Sequence, residues 1–337
     1  MICLMDLQIC FLLLWPHQAR SMVGEALEVP DPKDAPYFYD LDIEFRELGQ
    51  VEHLEIAGQT VSVRRQLLDL KVSVAECRYE LSGGFLDSAQ QKHQQIQAGI
   101  AAWLAEHTGF SDDALTEIYT LVLLADVNQE AKTFLMENAV PAVRFLRDLS
   151  QPLEQADAEK VLSARARYSS VDHTIVDWSG AIVIAPDGEF ESDLQLLKIG
   201  KYQILRYRMM DQDVQDMLRQ VQQHLSRRPI WLASSNRILR KIVERRLELL
   251  LDFERIDQSL LLFGDWYSSE VYSLIVDRFD LDDWQALVKN KLDSLESIDS
   301  VIRESLSFSW RRAIDLIMFV GWIVLLVGYF YLFIVDL

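Results

Sequence analysis

Cysteine is scarce: Cys3, Cys10 and Cys77 are the only three, and none stands in a CxxC pair. An odd count without paired spacing offers no disulfide framework, and six scattered histidines add no metal-ligand spacing. The common nucleotide-binding and hydrolytic signatures are missing as well, with no GxGxxG, Walker A, GxSxG or HExxH sequence. Positive charge is in deficit, 33 Lys and Arg against 52 Asp and Glu, for a formal charge of -19. Such a surplus repels phosphate backbones, so direct nucleic-acid binding is not expected. The local pairs Arg64–Arg65, Arg165 with Arg167, Arg227–Arg228 and Arg245–Arg246 read as solvated faces.

What the chain has instead is apolar length at both ends. Leu316 to Val335 is LIMFVGWIVLLVGYFYLFIV, twenty positions without charge, proline or amide. A helix of that length spans about 30 Å, which leads us to expect one transmembrane crossing, with Trp310, Tyr329 and Tyr331 at the interfaces. Arg311 and Arg312 then place residues 1–310 in the cytoplasm beneath a cell inner membrane, or on the matrix side of a mitochondrial one. The run is almost wholly apolar and offers no ion-lining face beyond Gly321 and Gly328, which argues against a channel. Leu7–Trp15 is too short to cross as a helix, and three readings stay open: re-entrant, interfacial, or untranslated if Met22 initiates.

Between the ends the hydrophobic period changes repeatedly. Tyr37–Phe45 alternates in part, His53–Val63 predicts two strands around an Ala57–Gly58 turn, and Lys71–Leu81 predicts a third strand. Phe85–His107 predicts a helix burying Ile96, Ile100, Trp103 and Leu104; Ser111–Asp113 caps the next, with Leu115–Val127 as its core run. Gln129–Leu149 continues helical with a kink or reset at Pro141, and Pro152–Arg167 reads as a polar helix or linker. Val171–Trp178 and SGAIVIAPDGEFE predict strands and a Pro-Asp-Gly turn with a returning strand, and Tyr202–Met209 a further one. Asp211–Leu225 is helical, and Asp211, Asp213 and Asp216 lack the glycine and glutamate of a calcium loop, which favours helix capping. His173, beside Asp172 and near Asp177, is the nearest approach to an acid–base group and reads as a surface histidine.

The strongest helical periodicity lies in the last third, with Ile238, Ile242, Leu249, Phe253, Ile256 and Leu260, then Leu287, Leu295, Ile298, Ile302 and Leu306. An unbroken helix from Trp284 to Val335 would form a stalk about 75 Å long. Its stripe would be covered either by the 238–275 helix or by other subunits. The run FGDWYSSEVYSLIVDRFDLDDWQALVKNKLDSLESI, with Trp266, Glu270–Val271–Tyr272, Leu287, Asn290, Leu292 and Asp293, resembles the end of the family named for a yeast protein required for meiotic nuclear division. That resemblance implies a membrane-anchored, oligomeric α+β protein without a catalytic residue set.

The sequence reading is therefore an α+β soluble domain with a long C-terminal helical hairpin or stalk and one C-terminal transmembrane helix. Its segments are an apolar N-terminal stretch (1–29), an α+β domain (30–229), a hairpin or stalk (230–310) and a tail anchor (311–337). The expected role is a membrane-anchored assembly or scaffold protein acting through a homo-oligomer formed by the stalk, with the lipid bilayer and other membrane-associated proteins as its further partners. The alternative is an unrecognised enzyme or a component of a membrane transport complex. No catalytic, cofactor-binding or metal-binding residue is assigned.

Overall fold

The apolar run near the N-terminus is the middle strand of a ten-stranded sheet. In the structure, a computed structural model that describes residues 6–17, 25–26, 43–111, 115–125, 133, 136–169, 171–227, 244–254, 256, 266–295 and 317–328, strand β1 is Leu7–Pro16. It pairs antiparallel with β6 (Val72–Leu81) on one side and β7 (Glu117–Leu124) on the other. Leu7, Ile9, Phe11, Leu13 and Trp15 enter the core on one face, while Cys10, Leu12 and Leu14 are buried on the other. A strand covered on both faces needs apolar residues at every position, which is why LQICFLLLW shows no alternation. None of the membrane or start-site readings of this run accounts for it.

The other strands extend the sheet to both sides. β2 (Glu25–Ala26), β3 (Phe45–Glu47), β4 (Glu52–Ile56) and β5 (Gln59–Leu68) lie beyond β6, with β3 and β4 both pairing with β5. The β4–β5 hairpin turns at Ala57 (φ 50°) and Gly58 (φ 71°), two positive values of the kind a two-residue primed turn requires. Beyond β7 come β10 (Gly180–Ile184), β9 (His173–Val176) and β8 (Arg165–Arg167); β7 and β10 are the parallel pair. Leu115–Val127 is thus strand rather than helix where it is described, again because both faces are covered.

Helices cover both faces. On the first lie α1 (Asp87–Thr108), with Ile96, Ile100 and Leu104 buried as their spacing predicts, α2 (Ala139–Leu146) and α3 (Gln155–Leu162). On the second lies α4, Glu191–Arg227. The Pro186–Gly188 turn leads the chain from β10 into this helix, not into a returning strand, and Tyr202–Met209 is helical within it. Helix α6 (Trp266–Arg278) crosses α4 at Gly200, where a Cβ would collide with Ile275 and touch Phe279. Glycine, without a Cβ, permits this close helix approach.

Contacts divide the chain into two units: Met1–Met209 with Arg255–Gln285, and Met210–Glu254 with Ala286–Leu337. In the second, helix 244–254 (α5) and the C-terminal part of helix 281–295 (α7) are tied to α4 by Arg245–Asp213 at 2.8 Å and by Lys291–Asp211. Asp211 and Asp213 therefore serve interhelical pairing deep inside a long helix, not capping. Asp216 pairs with Arg219 one turn on. Met210, Val214, Met217, Leu249, Phe253, Val288, Leu292 and Leu295 are buried at spacings of three and four. Leu295 of the stalk stripe is thus covered within the chain, whereas Ile298, Ile302 and Leu306 lie outside the described residues.

Two larger expectations are corrected. The architecture is mixed α/β, one sheet with helices on both faces, in place of an α+β domain with a stalk and a span. Of Leu316–Val335 the described part is helix 317–328 (α8), and among the described residues no helix is long and apolar enough to cross a membrane. The transmembrane, single-pass and tail-anchored descriptions lose their support, and with them the placement in a cell or mitochondrial inner membrane.

Candidate functional site

The period-two register of the sheet sorts its polar residues between the two helical layers. On the α4 face stand Gln66, Glu76, Arg78, Glu117 and Tyr119, and α4 brings Lys198, Lys201 and Arg208 down onto them.

The first group lies beneath a cleft. Lys198, fully buried, donates to Gln66 Oε1 at 2.9 Å and to Glu76 Oε2 at 2.7 Å. Arg78 Nε donates to the other Glu76 oxygen at 2.8 Å, and Arg78 Nη2 to Glu191 at 2.8 Å. Burial pushes the Glu76 carboxyl up, but the charges and hydrogen bonds of Lys198 and Arg78 outweigh it and bring it down to about 2. Arg78 opens into a cleft of about 700 Å³ lined also by Gln8, His53, Thr60, Ser62, Glu80 and Phe190.

The second group surrounds Lys201. Its ammonium lies 4.9 Å from the Tyr119 ring, 4.7 Å from Trp178 and 4.3 Å from Phe279, and donates to the Trp178 carbonyl at 3.0 Å. Burial lowers its pKa to about 8, against the pull of Glu117. Glu117 also binds Arg208. Close by, Tyr119 donates to the Asp177 carbonyl at 3.0 Å, and Asp177 takes a two-pronged ion pair from Arg147 at 2.6 and 2.8 Å. The cage is closed around the amine, which is 1% exposed, so no substrate reaches it.

Asp172, His173 and Asp177 do not form a catalytic set. His173 opens β9 and Asp177 follows its last residue, about 13 Å apart at 3.3 Å per residue. His173 is buried rather than on the surface, and Asp177 is held by Arg147. Asp172 lines a small pocket in which Tyr267 and Thr174 both donate to Asp193, at 2.9 and 3.0 Å. Its free space of about 20 Å³ holds one water. Burial raises the Cys10 and Cys77 thiols, so neither is a ready nucleophile. Among the described residues no group of three His, Cys, Asp or Glu could hold a metal ion.

On the other face His93 shares a 2.6 Å hydrogen bond between Nδ1 and the Tyr79 hydroxyl and lies 3.3 Å from Thr120 Oγ1. Burial lowers its pKa from 6.5 to about 4. The unfolded chain then takes up the proton first, so stability present above pH 6.5 is lost as pH falls toward 4. The loss amounts to about 3 kcal/mol at 1.36 kcal/mol per unit. Urea midpoints between pH 7 and pH 4 should fall steeply in the wild type and less in His93→Gln; parallel curves would remove His93 from the acid response.

None of these clusters was legible in the sequence, since each pairs a helix residue with strand residues far away in the chain. One signal was present: lysines and arginines at 198, 201, 206 and 208 in a segment otherwise rich in buried apolar residues.

The fold and its polar interior define a three-layer α/β/α protein with a mixed sheet and a polar cleft at one end of it. Residues 38–191, from before β3 to the start of α4, match the family described as the N-terminal domain of the uncharacterised protein MJ0711. The uncharacterised protein MJ0711 of Methanocaldococcus jannaschii is 21% identical over 201 residues, which cover 59% of this chain and 61% of that protein. The chain thus spans less than two thirds of that relative's length. No solved structure matches. The family similarity lies in the sheet domain and not in residues 263–298, which overturns the resemblance to the meiotic nuclear division family. The 263–298 run itself contains two helices, α6 and α7, broken at Asp280 (φ 50°).

Proposed function

We propose that this chain is an assembly or scaffold protein that acts through homo-oligomerisation and protein partners. The observation that carries the reading is helix α8. From Ile317 to Val327 every large apolar side chain is between 41% and 74% exposed, on all sides of the helix. Covering each such side chain is worth about 1.5–3 kcal/mol, so a few of them offset the entropy of association. A second copy of the same helix is the favoured cover. Gly321 and Gly328 are seven residues apart, and a Cβ added at either would meet no atom of the described residues within 4 Å, so identical helices can approach closely along that line. Leu247 and Leu251, a turn apart on α5, add a smaller exposed pair for other partners.

Mass measurement by light scattering on the full chain in aqueous buffer tests this. The wild type should be oligomeric and Val324→Glu/Leu325→Glu monomeric, with unchanged circular dichroism. A monomeric wild type, or an oligomer that survives both substitutions, overturns the assignment. So does flotation of the wild type with lipid vesicles that the variant abolishes.

A further inference from the structure

We infer that the cleft at the end of the sheet binds a small molecule through an oxyanion, held by Arg78. Strands β6, β7 and β10 run in the same direction, since β1 is antiparallel to β6 and β7 while β10 is parallel to β7. Their C-terminal ends meet at this cleft, and α4 begins at its rim just after Phe190. Ligands of open α/β sheets bind outside the carboxyl ends of such strands. The register also aligns the polar lining: His53 opposes Ser62, Ser62 opposes Arg78, and Glu80 opposes Gln8, all on the α4 face.

Arg78 is the preorganised element. Glu76 and Glu191 fix its guanidinium through Nε and Nη2, and Lys198 fixes Glu76 in turn from a fully buried position. Nη1 meets no acceptor among the described residues, and the Arg78 side chain is 43% exposed toward the cleft. A buried ion pair contributes little net stability over apolar residues of the same size. Here the pair orients an arginine with one donor edge open, the arrangement that recognises carboxylate or phosphate oxygens. The two acids cancel the charges of Arg78 and Lys198, so attraction acts at contact range, aided by the α4 N-terminus. Glu80 and Gln8, on the same face, suit hydroxyl or amine donors at the ligand's other end. The volume of about 700 Å³ is that of a metabolite-sized ligand.

Calorimetric titration of the full chain with inorganic phosphate, and separately with succinate, tests the site and tells phosphoryl from carboxylate recognition. Saturable one-to-one binding of either in the millimolar range is expected, weakened at least about tenfold in Arg78→Gln. His53→Glu adds repulsion at an exposed residue away from the buried pair, so it should weaken binding similarly while folding is unaffected. This variant decides the matter should Arg78→Gln fail to fold. Absence of saturable binding with both anions, or His53→Glu binding as well as the wild type, overturns the proposal.

Discussion

Removal of residues 1–21 is expected to leave a chain that does not fold cooperatively. The deletion takes away β1, through which β6 and β7 are joined, and so divides the sheet into two parts with new open edges. Leu7, Ile9, Phe11, Leu12, Leu13 and Leu14 are all buried, and at about 1.5–3 kcal/mol each their loss matches or exceeds the whole net stability of about 5–15 kcal/mol of a typical domain. Phe11→Ala is the milder form of the same test. Its ring packs edge-on to His93 at 6.3 Å, and its truncation should cost about 3–5 kcal/mol. Thermal melts followed by circular dichroism measure both variants. A cooperative, wild-type-like melt of the truncated chain would show that the sheet closes without β1 and would sink the assignment of this strand as its centre.

Lys198→Met is expected to destabilise by about 3–5 kcal/mol, because Glu76 would keep its buried charge with only the half-exposed Arg78 to meet it. Glu76→Leu should cost a similar amount by stranding the ammonium. The double variant Lys198→Met/Glu76→Leu should recover most of the loss, since apolar replacements remove both desolvation penalties together. Denaturant unfolding of the four proteins measures the coupling. Additive losses would mean that Gln66 and Arg78, not the ion pair, stabilise this region. The double variant also separates two roles. With stability restored and Arg78 no longer held by Glu76, weakened phosphate or succinate binding would report the orienting role alone.

Local chemistry was legible where it is local. Ala57–Gly58 marks a hairpin because the turn demands positive φ at successive positions, and it turns there. Ile96, Ile100 and Leu104 mark a helix face because only a period near 3.6 places them together, and they are buried together. Strand β6 and the Pro186–Gly188 punctuation likewise lie near where the sequence places them, although the latter feeds a helix.

What the sequence determined by itself, then, is the position of turns and of one-sided faces, since backbone sterics and amphipathic period act within a few residues. Tertiary structure alone decided the conformation of the uniformly apolar runs. Phe11 stands beside Cys77 and Thr120 in the sheet, and with helices on both sides β1 and β7 have no solvent-covered face to impose an alternation of apolar and polar residues. It likewise decided that the lysines of α4 belong inside: a charged residue in a buried helix is intelligible only once Glu76 and Glu117, brought by distant strands, stand opposite it.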